Sequence, residues 1–160
     1  RSSIRAIEPS AETNLRLRSR IDLLARPLLE RLAAGERTIG SVRVEAQLLE
    51  ARLRDDLRAR CFRATDVTRA AHDARARGVH VELLDDGALT DASPDLRDRV
   101  ITAAVQMLDT APDGAVTIRV APPGRDLTAT VVARPVHGPA TRLEIPSALS
   151  VDDAREVVAR

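Results

Sequence analysis

Residues 93–121 read SPDLRDRVITAAVQMLDTAPDGAVTIRVA. Ser93 is suited to cap a helix N-terminus, because its hydroxyl can accept from a backbone N–H of the first turn. Pro94 follows at the first helical position, where the missing N–H costs nothing. Leu96, Val100, Ala103, Ala104, Met107, Leu108 and Ala111 then recur at helical spacing and make one apolar face. Pro112-Asp113-Gly114 ends the helix. Val116, Ile118 and Val120 alternate with polar neighbours, which predicts a half-buried strand. A helix, a tight turn and a strand in immediate succession imply a helix packed on a sheet.

Downstream, Pro122-Pro123-Gly124-Arg125-Asp126 turns the chain into a second strand over 127–133, so these two strands form a hairpin. Residues 134–139 are a loop, and 141–145 form a third strand stopped by Pro146. Ser150 caps a predicted C-terminal helix over 150–160. Asp152 and Asp153 there favour the first-turn dipole, and Val151, Ala154, Val157 and Val158 form its apolar side.

Upstream, residues 1–10 read as a linker. A helix is predicted from 11 to 34, with Leu17, Ile21, Leu24, Leu28 and Leu32 spaced close to a coiled-coil seam. Pro27 lies within it and predicts a kink near Leu23. Gly35 is a natural stop. Ser41 is read as the cap of a second helix reaching Phe62, with Val42, Ala46, Leu49 and Leu53 as its stripe. Two helices joined by a short loop lie antiparallel. A lone hairpin cannot bury enough surface to be stable. Its apolar faces need a second copy or the downstream domain, and the simpler solution is the one expected: a dimerisation hairpin over 11–62, paired with a second copy through Leu17, Ile21, Leu24, Leu28, Leu49 and Leu53. Thr65 caps a third helix that Gly78 ends, and Val79, Val81 and Leu83 alternate into a further strand. Asp85-Asp86-Gly87 is read as the turn leaving that strand, since Asp-Gly is common turn chemistry.

Composition narrows the function. There are 25 basic and 24 acidic residues, and every basic one is Arg. The signs alternate along the helices, which describes a solvated surface rather than a nucleic-acid interface. One Phe with no Trp or Tyr leaves no stacking platform for bases. Cys61 is the single cysteine, so no intrachain disulfide can form and a cytoplasmic location is expected. No apolar run nears the ~20 residues of a membrane span, although an upstream membrane segment is compatible with a chain that starts at Arg. The three His and one Cys have no metal-ligand spacing, so no metal site is assigned.

The helix-turn-strand at 93–121 resembles the asparagine-box region of the ATP-binding domain of sensor histidine kinases, which reads roughly Glu-Ala-Leu-x-Asn-Ala before a Val-x-Val-x-Val strand. From Thr65 to Ile145 the predicted order of helix, strand, helix and three strands is similar to the α/β sandwich of the histidine-kinase and gyrase-type ATPases, most like those of actinobacteria. The upstream hairpin resembles the kinase dimerisation domain. The departures from the family concern its chemistry. Thr102 stands where the family has Glu, and Gln106 where it has the magnesium-holding Asn. Ala133-Arg134-Pro135 replaces the adenine-binding Asp turn, and no His occurs between Arg1 and Ala71 to accept a phosphoryl group. His72-Asp73 superficially resembles that motif but lies on the third helix, off its apolar stripe. About six residues remain where the family spends several tens on its lid.

The fold class expected is thus α+β: a helical hairpin in a dimeric four-helix bundle (11–62), a trimmed ATPase-like sandwich (65–146) and a C-terminal helix (150–160). The function expected is a non-catalytic signalling or interaction module of a two-component-type system, a homodimer with a protein partner and no cofactor. Thr102, Gln106 and Arg134 are its vestigial nucleotide-site positions. Two alternatives stay open: an ATP-binding histidine-kinase fragment, and an α/β regulatory domain that binds a transcription factor.

Overall fold

The computed structural model describes residues 11–35, 39–147 and 156–158. The protein is a mixed α+β chain that divides into two compact units, Arg1–Glu50 and Ala51–Arg160.

The first unit holds α1 (Ala11–Ala33) and the start of α2 (Ile39–Arg58). α1 continues through Pro27, and Arg31 Nε donates to the Pro27 carbonyl 3.1 Å away. Gly35 takes the left-handed conformation expected just beyond a helix end (φ +69°). Arg31 also pairs with Glu45 of α2 at 3.1 Å. α2 begins at Ile39, so Ser41 lies inside the helix and is not its cap.

In the second unit α2 stops at Arg58, four residues short of the predicted end. A single 3-10 turn, Arg60–Phe62, follows and carries the only aromatic side chain inward, 1% exposed. The Phe62 carbonyl accepts from the hydroxyls of Thr65 (2.7 Å) and Thr68 (2.9 Å), which fixes the corner before α3 (Asp66–Ala76). α3 buries Val67, Ala70, Ala71 and Ala74, the face its spacing predicts. β1 (His80–Asp85), α4 (Pro94–Thr110) and β2 (Ala115–Val120) follow as a strand-helix-strand unit with the strands parallel. β3 (Leu127–Arg134), β4 (Thr141–Pro146) and β5 (Glu156–Val158) extend the sheet antiparallel, in the order β1-β2-β3-β4-β5. The C-terminal helix predicted over 150–160 is not found at residues 156–158. Glu156–Val158 form a strand on β4, where β-branched Val157 and Val158 suit a pleated edge. Residues 148–155 and 159–160 lie outside the described residues, and with them the rest of the predicted helix.

One face of the sheet carries the core. Val81 and Leu83 of β1, Val116, Ile118 and Val120 of β2, Ala129 and Val131 of β3 and Ile145 of β4 are buried. They cluster with the apolar faces of α3 and α4, which also pack on each other. Each fully buried Val or Ile contributes roughly 1.5–3 kcal/mol relative to an exposed one. The α4 cap is as the sequence predicts: Ser93 Oγ accepts from Leu96 N at 3.3 Å. Among the described residues no buried side-chain nitrogen or oxygen lacks a hydrogen-bond partner.

Candidate functional site

The positions that the kinase resemblance singles out fall on two sides of the molecule. On α4, Leu96, Val100, Ala104 and Leu108 face the sheet. Thr102 and Gln106 each lie two residues from that stripe, about 200° around the helix, and both are exposed. On β3, Val131 and Ala133 belong to the core side, so Arg134 falls on the opposite face and is exposed. The fold therefore does not bring Arg134 together with Thr102 and Gln106. Six residues, Pro135 to Ala140, join β3 to β4 directly. That link is held close to the sheet. Asp113 Oδ1 accepts from Val136 N at 2.9 Å, and a methyl group built on Gly114 would lie 2.1 Å from the Arg134 carbonyl oxygen. Gly114 is also left-handed (φ +74°), so both space and conformation demand glycine there.

Of the expected dimer contacts, Leu28 is already buried within one chain. Leu24, Leu49 and Leu53 are half-buried, and Ile21 is 38% exposed; the Leu17 side chain lies outside the described residues. Among the described side chains, Leu23 (74%), Leu29 (61%) and Val44 (52%), none of them on the expected seam, are more open than Ile21.

Sequence reasoning missed the most closely bonded polar cluster, which lies along the free edge of β1. In the parallel ladder His80 N donates to Gly114 O and Asp86 N to Val120 O. Alternation then turns the backbone groups of Val81, Leu83 and Asp85 away from β2. Arg75 of α3 reaches this edge. Its Nη2 donates to the Val81 carbonyl at 2.8 Å, and the same guanidinium grips Asp55 of α2 with Nη1–Oδ2 2.6 Å and Nη2–Oδ1 3.1 Å. Both side chains are nearly enclosed, 13% and 14% exposed. Burial pushes the Asp55 carboxyl above its ordinary range, and the bond and charge of Arg75 pull the other way. A cavity of about 130 Å³ adjoins the pair, bordered by Arg54, Arg58 and the β1 backbone. An anion entering it would compete with Asp55, which already occupies the bidentate face of Arg75.

At the far end of β1, Asp85 Oδ2 accepts from Cys61 N and Oδ1 from Gly87 N, each at 3.0 Å. Asp86 pairs with Arg119 at 2.7 Å. The Asp85-Asp86-Gly87 stretch is thus a turn whose carboxylates are engaged in holding structure. His72 and His80 are exposed, and Asp73 pairs with Arg69 within α3 at 3.4 Å. No group of three or more potential metal ligands occurs among the described residues, and no helix among them is long and apolar enough to cross a membrane. Compared with known proteins, the chain matches no family model, no curated protein and no solved structure.

Proposed function

We propose that this chain is a non-catalytic signalling or interaction module of the sensor-kinase type: a dimerising helical hairpin joined to a trimmed ATPase-like sandwich that no longer holds nucleotide. The element order of two long helices, then helix, strand, helix and an antiparallel run of strands, supports the resemblance. The observation that carries the loss of catalysis is the direct β3–β4 link of six residues. A triphosphate surrenders much of its hydration on binding, so a site must return oriented N–H donors, cations or a metal. A link that short, pinned by Gly114 and Asp113, leaves no chain to wrap phosphates. The separation of Gln106 from Arg134 points the same way. The open Leu23, Leu29 and Val44 side chains support a second copy as partner of the first unit.

Titration calorimetry with ATP and magnesium at physiological salt tests the nucleotide part. The expected dissociation constant is millimolar or weaker, about −4 kcal/mol. A micromolar constant that weakens in Gln106→Ala would restore the kinase reading. Sedimentation equilibrium tests the dimer. The wild type should be dimeric at tens of micromolar, and the double variant Leu23→Glu, Leu29→Glu should shift toward monomer. A monomeric wild type would remove the dimerisation part.

A further inference from the structure

We propose that the Asp55–Arg75–Val81 linkage is the joint through which disturbance of α2 reaches the sheet, with Arg75 as a positioning residue. The inference deepens the relay reading above and rests on it. α2 is one continuous helix that starts in the first unit and ends in the second, so Asp55 stands on the element that enters from the hairpin. Arg75 stands on α3 and Val81 on β1. One planar guanidinium therefore binds three elements at once, with three hydrogen bonds of 2.6 to 3.1 Å. The fork geometry matters: a carboxylate held bidentately transmits rotation as well as translation, which a point charge does not.

Two other polar ties near the end of α2 have different reach. Arg63 Nη2 donates to the Asp56 carbonyl, a link local to the corner after the helix. Cys61 N on Asp85 ties the 3-10 turn, not α2 itself, to the end of β1. Arg75 bonds an α2 side chain and the β1 backbone together. Weakening α2 should then loosen β1 through Arg75.

Amide hydrogen exchange in the full chain tests this. Ala51→Gly, in α2 ahead of the joint, should raise exchange through local opening of that helix roughly fivefold. In the wild-type background the β1 ladder amides of Glu82 and Leu84 should rise with it, by a few-fold. In the Arg75→Met background the same Ala51→Gly change should leave Glu82 and Leu84 unmoved, although α2 still opens. Asp55→Asn keeps the side-chain shape and should likewise abolish the increment, which covers the case where Arg75→Met does not fold. A purely structural Arg75 would raise β1 exchange by itself and leave the increment from Ala51→Gly intact. An equal increment in all backgrounds overturns the proposal and assigns the coupling to packing around Phe62. Neither result alters the nucleotide or dimer tests, so failure of this joint is distinguishable from failure of the relay reading.

Discussion

The Cys61 thiol is held protonated by its surroundings. Burial is the main cause, and the neighbouring Asp85 carboxylate adds to it, so the thiol is pushed well above its ordinary value. A thiolate is the reactive form, and this environment suppresses it. In the folded protein at about pH 8, alkylation by iodoacetamide should run at least tenfold slower than in urea; mass spectrometry of timed samples checks it. Asp55 gives the matching prediction in acid. Its folded-state carboxyl is raised above the ordinary 3.8, so the folded chain binds that proton more tightly than the unfolded chain. Stability contributed by Asp55 therefore grows as pH falls through the folded value and is lost as pH rises. Against Asp55→Asn, which does not titrate, the wild type should gain ground between about pH 7 and pH 4. Urea unfolding of both proteins across that range reads the difference, and a change in the opposite direction contradicts the assignment.

The turn from α4 to β2 is the element whose geometry is least negotiable. Gly114 combines a positive φ with backbone contact against Arg134 and Pro135. Gly114→Ala should cost about 2 kcal/mol or more, since the left-handed conformation alone costs an L-residue roughly 1–2 kcal/mol. Gly124, also left-handed but with nothing within 4 Å of an added methyl, should lose less on the same change. Thermal unfolding of the two variants side by side separates the clash from the conformational cost. Much of this α/β region was legible in the sequence. Ser93-Pro94 marks the start of α4, and the alternations through Val79–Leu83, Val116–Val120 and the later strands place β1 to β4 within a residue or two. Alternation works there because one face of the sheet is buried and the other is wet. The separation of Arg134 from Gln106 was not read from the sequence, because Val131, Val132 and Ala133 are consecutive apolar residues and leave open which face Arg134 takes. The break after Arg58 was not legible either, because a 3-10 turn that swings one Phe inward leaves the helical spacing of Leu57 and Cys61 unchanged. The C-terminal strand was hidden behind a Ser-Val-Asp-Asp run that has the composition of a helix start. Nor could the Arg75–Asp55 pair be foreseen, because 25 arginines offer too many partners for spacing to choose among.

At the scale of the whole molecule, one stretch of α2 serves the second unit as more than a connection. Asp55 and its neighbours stand beside the outer side of β1, where Leu83 offers backbone groups that the ladder does not use. Natural sheets shield such strands from one another with charge and cover. The consequence concerns where this chain can be cut. A truncated protein that starts at Ala51 keeps the shield and should stay dispersed. One that starts at Ala59 keeps every strand, both packed helices and the Arg75 bond to Val81, yet lacks the stretch of α2 that lies beside Leu83 and opens that part of the edge to its neighbours. Light scattering at matched concentration should show the shorter protein clouding on warming while the longer one stays clear. The boundary suited to dissecting this protein is therefore set by colloidal behaviour, and it lies inside a helix rather than in a loop.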